Sequence, residues 1–130
     1  MSVRVGDRSE GKLQVLRAAN ELCKYTLQIC RNEKVFPKSQ RWIMTQRIVN
    51  ESLDAMTCIR RANTARLDQD EEKAYRRSQQ MEARCHLDAL LSLIDRAYGA
   101  FGIETYRVEH WTELVNSTIL LLRAWSKSER

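Results

Sequence analysis

Apolar residues recur along most of this chain at steps of three and four, the spacing that lines one face of an α-helix. Over about residues 9–34 one row holds Leu13, Leu16, Ala19, Cys23, Leu27 and Cys30, flanked by the heptad row Val15, Leu22 and Ile29. The two rows make a wide apolar face, as in a bundle helix rather than a thin coiled-coil seam. Val35-Phe36-Pro37-Lys38 ends this helix, because Pro37 disfavours helix at Phe36 and pre-sets the next start. Ser39 is read as a cap. A second helix over about 39–66 turns Ile48, Val49, Ser52, Leu53, Met56 and Ile59 inward. A third, over about 69–98, follows the turn at Leu67-Asp68-Gln69-Asp70 and carries Tyr75, Met81, Cys85, Leu87, Leu90, Leu91 and Ile94 to the core. Gly99 and Gly102 supply its stop. The fourth, over about 106–126, keeps the cleanest heptads: Val108, Trp111, Val115, Thr118, Leu122 and Trp125, with Leu114 and Leu121 beside them.

Short connections between long helices make neighbours antiparallel, so the pattern predicts an all-α, up-down-up-down four-helix bundle. Four Gly and one Pro leave little turn chemistry for bounding strands. With 130 residues, no internal repeat and no linker, residues 1–130 read as one domain around one core. Cys23, Cys30, Cys58 and Cys85 fall in apolar helical stretches without a CxxC pair, which predicts buried, reduced thiols. The opening MSVRVGDRSEGK lacks the apolar core of a signal peptide, and no run approaches the ~20 apolar residues of a membrane span. The expectation is a soluble, cytoplasmic protein with no membrane contact.

Catalytic constellations are missing. There is no GxSxG, no phosphate-cradling glycine loop, no HExxH and no DxDxDG loop. His86 and His110 sit singly on different helices, and Cys85 and His86, adjacent on a helix, point about 100° apart. Asp68, Asp70, Glu71 and Glu72 suit the positive N-terminus of the third helix better than a metal. No enzyme, metal or cofactor is expected.

Charge changes the picture. The net charge is +5, and 16 of the 22 cations are Arg, whose planar fork suits phosphate. Cut at the predicted turns, residues 38–67 carry six cations (Lys38, Arg41, Arg47, Arg60, Arg61, Arg66) against Glu51 and Asp54, the largest excess in the chain. Lys73, Arg76, Arg77 and Arg84 lie early on the third helix, where antiparallel packing brings them beside Arg60, Arg61 and Arg66. On a helical wheel Arg47 and Arg61 share the polar face while Arg60 and Arg66 lie elsewhere. Both uses of these cations stay open: holding phosphate, or bridging to the acidic start of the third helix. Arg123, on the fourth helix, falls outside the cluster. The aromatics do not interleave with the cations as stacking platforms do, so nucleic acid would be met mainly at its backbone.

Two segments carry a resemblance. Phe36-Pro37-Lys38-Ser39-Gln40-Arg41 opens a long second helix after a first helix with Tyr25 and Cys30, and Leu121-Leu122-Arg123-Ala124-Trp125-Ser126-Lys127 ends the fourth. Both resemble the accessory variability determinant (Avd) proteins of diversity-generating retroelements, within the four-helix-bundle proteins that include those encoded in rRNA intervening sequences. The resemblance implies a homopentamer of four-helix protomers with a basic surface. It further implies binding to a reverse transcriptase and to RNA or DNA in support of mutagenic copying, without catalysis of its own. Lys38 and Arg41 match the family's basic opening of the second helix. The alternative is an oligomeric interaction protein of the rRNA-intervening-sequence type with no retroelement role.

Overall fold

The structure, a computed structural model, describes residues 5–129; residues 1–4, part of the stretch read above for a leader, and Arg130 lie outside the described residues. Four α-helices account for the fold: α1 Val5–Arg31, α2 Gln46–Thr64, α3 Asp70–Phe101 and α4 Thr105–Ser128, with no strand among the described residues. α1 packs on α2 and α4, and α3 packs on α2 and α4, so each helix borders its chain neighbours around a square. Cross-helix bonds fix the directions. Glu51 meets His86 while Cys58 meets Glu82, so α2 and α3 run oppositely. Tyr98 meets Thr105 at one end of the α3/α4 pair and Arg76 meets Glu129 at the other. Tyr25, near the end of α1, donates to the carbonyl of Arg107 near the start of α4.

The α1 core takes Val15, Leu22 and Ile29, the row read as flanking, together with Ala19, Cys23 and Cys30 of the other row, whereas Leu13 and Leu27 of that row are exposed. A bundle buries only an arc of each helix. An apolar face wider than that arc leaves one edge in solvent. α1 stops at Arg31, short of residue 34, because Asn32 takes over. Its side-chain Oδ1 accepts from the Lys34 amide at 3.0 Å, and its carbonyl accepts from Val35 and Phe36 at 2.9 and 2.8 Å. Asn side chains compete with helix in this way.

α2 starts later than the sequence pattern puts it. Phe36 is buried, edge-on to Phe101 and Trp111, and the chain leaves it through a 3₁₀ turn at Lys38–Gln40 and a π turn at Arg41–Thr45. Ser39 lies inside the 3₁₀ turn, and no side chain caps it. Within α2 the buried row is Ile48, Ser52, Ala55, Cys58, Ile59 and Ala62, and Leu53 is exposed. The acidic first turn of α3, with Asp70, Glu71 and Glu72, sits where the helix dipole favours anions. Gly99 lies within α3, and the stop belongs to Gly102 alone, at φ 61° in the left-handed region that spares a residue without Cβ. α3 departs furthest from its predicted face. Tyr75, Met81 and Cys85 are exposed, and the buried row begins with Arg76, Gln79 and Gln80 before turning apolar at Ala83, Leu87, Leu90, Ile94 and Ala97. Three cysteines are buried as free thiols, and Cys85 is exposed. α4 buries Trp111, Val115, Thr118, Leu122 and Trp125 as its heptads predict.

Candidate nucleic-acid interface

The seven cations expected at the α2–α3 end of the bundle do not form one free basic surface there. Arg76 is the plainest correction: it is 4% exposed, inside the bundle. Its Nε donates to Glu129 Oε1 at 2.9 Å, one Nη donates to Glu129 Oε2, and Nη1 donates to the Ala65 carbonyl at 2.7 Å. Gln80 Nε2 and Trp125 Nε1 donate to the same carboxylate at 2.9 and 2.8 Å, and the guanidinium lies 5.1 Å over the Trp125 ring. Each Glu129 oxygen thus accepts two bonds, which offsets part of the cost of withdrawing both charges from water. No nucleic acid can reach this guanidinium. The sequence concealed it because Glu129 stands 53 positions away.

Several other nominees are held locally. Arg66 bridges the exposed Asp68 at 2.6 Å, and hydrogen bonding between them raises the guanidinium pKa and lowers that of the carboxyl. This is the local bridging that the acidic turn invited. Arg84 bridges Asp88 at 3.4 Å, one turn on. Lys38 bridges Glu33 at 3.5 Å and shares the α1/α2 corner with Arg41. Arg47 faces a depression that also holds Glu51, Asp54 and Arg96, so the charge there is mixed. Arg60 and Arg61 are exposed on α2, and Lys73 stands beside Arg77 at the end of the bundle.

What the tertiary structure does assemble is a cleft of about 670 Å³ between α3 and α4. Arg77 and Arg84 line it from α3, Arg123 and Lys127 from α4, and no carboxylate lines it. Met81 and Leu120, both exposed, give it apolar walls, while Gln80 and Ser126 add neutral donors. Arg123, expected to lie outside the basic region, is therefore part of it. The signal was present in the hairpin register. With Tyr98 opposite Thr105 and Arg76 opposite Glu129, Arg77 falls opposite Lys127, and Met81 falls near Arg123. Spacing by one and two helical turns puts cations roughly 6 Å apart on α4 and 10 Å apart on α3. Such rows suit several phosphates in succession better than one small anion. No aromatic ring lines the cleft, so bases would not stack there.

His86 Nδ1 lies 2.6 Å from Glu51, and the His110 ring stands edge-on to Tyr25. Among the described residues no group of three His, Cys, Asp or Glu side chains is placed to hold a metal ion. No described helix is long and apolar enough to cross a membrane. No protein-family model matches the chain, and no characterised protein and no solved structure matches it either.

Proposed function

We propose that this chain is a non-catalytic protein that binds nucleic-acid backbone in the α3/α4 cleft. The observation that carries the reading is the convergence of Arg77, Arg84, Arg123 and Lys127 on one cleft without a lining carboxylate. Cations gathered this way release condensed counterions from a polyanion, and that release drives binding at low salt. The resemblance to Avd proteins sharpens the proposal. On that reading the chain is a cytoplasmic accessory factor of a diversity-generating retroelement, homopentameric, that binds the reverse transcriptase and the template RNA or its cDNA. Lys38 and Arg41 then form a second basic site at the α1/α2 corner, away from the cleft.

The test is a salt titration with a single-stranded RNA and a single-stranded DNA probe. Replacing Arg77, Arg123 and Lys127 with Gln should flatten the plot of log affinity against log salt by about two to three units. Replacing Arg60 and Arg61 should change it far less. An unaltered slope in the cleft variant rules the cleft out. The alternative, an oligomeric interaction protein with no retroelement role, draws on a different observation: Trp42 and Ile43 stand 75% and 64% exposed.

A further inference from the structure

Away from the basic cleft, a second surface combines apolar exposure with an excess of positive charge. Where α1 ends and the π turn begins, a cleft of about 400 Å³ has Leu27, Phe36, Trp42 and Val49 in its lining. Arg31, Lys38 and Arg41 stand around it, against the one carboxylate of Glu33. The apolar surface continues beyond the cleft. Leu53 lies one turn past Val49 on α2, and Leu13 lies two heptads before Leu27 on α1, so both fall on the same outer face. Leu13, Leu27, Trp42, Ile43 and Leu53 are all exposed, half of the exposed large apolar side chains among the described residues, and they fall on α1, the π turn and α2. The stripe from Leu13 to Leu27 is roughly 21 Å long at 1.5 Å per residue, about four helical turns.

Charge along the stripe is predominantly positive. Arg17, Lys24 and Arg31 recur every seven residues beside Leu13 and Leu27, all three exposed, and Lys38 and Arg41 continue the series past the turn. The nearby acids are fewer. Glu33 is tied to Lys38, Glu51 and Asp54 face α3 in the depression with Arg47, and Glu21 lies one turn from Arg17 and Lys24.

We propose that the α1/α2 face is a docking groove for an amphipathic helix of a partner protein, one whose apolar stripe is bordered by Asp and Glu. Its large apolar anchor fills the cleft against Trp42 and Phe36, and its carboxylates meet Arg17, Lys24, Arg31 and Arg41. This is helix-in-groove recognition, with the border charges selecting orientation and partner. The proposal uses none of the α3/α4 cleft residues and stands independently of nucleic-acid binding in that cleft; it gives Arg41 to the partner protein.

The structure supplies its own reporter. Trp111 and Trp125 are buried, so of the three tryptophans only Trp42 changes environment when this face is covered. The experiment titrates the full chain with a synthetic, Trp-free peptide of roughly 18 residues, four turns with some overhang. Leu occupies its i, i+3, i+4 and i+7 positions, and Glu borders them. Saturable binding with a blue shift of Trp42 emission is expected. Trp42→Ala, read by anisotropy of a labelled peptide, and the pair Arg31→Glu with Arg41→Glu should each weaken binding about tenfold or more. A peptide with Lys in place of Glu, and one of the same composition with the period scrambled, should bind at least about tenfold more weakly. The cleft variant lacking Arg77, Arg123 and Lys127 should bind the peptide as the unaltered chain does. Circular dichroism confirms that each variant keeps its helices, and Arg41→Gln serves if the double reversal does not fold. No saturable binding overturns the proposal, and so does equal affinity for the scrambled peptide. Sedimentation in which the unaltered chain self-associates and Trp42→Ala is monomeric gives the groove to a second copy instead. Displacement of the peptide by RNA in the cleft variant gives it to nucleic acid.

Discussion

Trp111 and Trp125 stand two heptads apart on α4, both essentially closed to solvent, and their surroundings differ in kind. At the Trp111 end the interior is neutral. The indole donates to Thr26 Oγ1 at 3.0 Å, Thr26 donates in turn to the Leu22 carbonyl at 2.7 Å, and Tyr25 and Phe36 pack edge-on to the ring. At the Trp125 end the indole donates to a carboxylate, Glu129, that also neutralises a buried guanidinium. The neutral end gains stability from apolar burial and aromatic geometry, which add to one another. The ionic end is a set of groups that are stable only together, because each charge left alone inside is costly. The difference bears on function. The ionic end ties α4 to α3, the two walls of the basic cleft, and Gln80 belongs to both the network and the cleft.

The largest effect is expected from Trp111→Ala. Removing a fully buried indole amid Tyr25 and Phe36 should cost about 3–5 kcal/mol in urea unfolding. A near-neutral result would mean that the neutral end does not depend on packing. Glu129→Ala should cost about 3 kcal/mol, the lower part of the range for a broken buried pair, because the network lies at the open end of the bundle. The pair Arg76→Met with Glu129→Gln, which removes both charges and keeps an acceptor for the Trp125 and Gln80 N–H groups, sharpens the contrast. It should recover most of that loss and come within about 1 kcal/mol of the unaltered chain, since both charges leave together. If the double variant is as unstable as Glu129→Ala, the ion pair contributes net stability and the contrast fails. Thr26→Val leaves the Trp111 N–H without its acceptor and should cost about 1–3 kcal/mol.

The smallest expected effect concerns Cys30, near the neutral end, whose thiol pKa burial pushes up to about 12. A raised pKa in the folded state leaves this contribution intact below the usual thiol range. As pH rises, the unfolded chain loses its proton first, and stability falls until about pH 12. Between about pH 8 and pH 10 the unaltered chain should therefore lose more stability than Cys30→Ala. Equal losses would show that this thiol does not titrate on unfolding. Thiol labelling of the native protein should meanwhile modify exposed Cys85 first, with Cys23, Cys30 and Cys58 protected.

The all-helical fold was legible wherever apolar period and burial coincide, most fully on α4, where Trp111, Val115, Thr118, Leu122 and Trp125 all turn inward. It was misread where apolar faces exceed the buried arc. Leu13, Leu27 and Leu53 keep the right period and still face water, and a partner surface, unlike a core, leaves no separate mark in the period. On α3 Leu87, Leu90 and Ile94 turn inward as read, and the first half was misread for the opposite reason. Arg76, Gln79 and Gln80 occupy core positions, and polar residues there carry no hydrophobic signal. The basic cleft was half legible. Arg77 and Arg84 were nominated, whereas Arg123 and Lys127 needed the α3/α4 register before they joined them.

Sequence by itself determined what is local. Repeats of three and four set the helices, Asn32, Pro37 and Gly102 set where the chain turns, and the acidic run from Asp70 to Glu72 marks a helix start. Tertiary structure decided which charges meet. Arg76 and Arg77 are neighbours in the chain, yet one is closed inside on Glu129 and the other opens onto the cleft. Adjacent helical residues point about 100° apart, and the helix packed against them sets which one is covered. A helix period fixes angles around its own axis, whereas the identity of what stands opposite depends on residues tens of positions away.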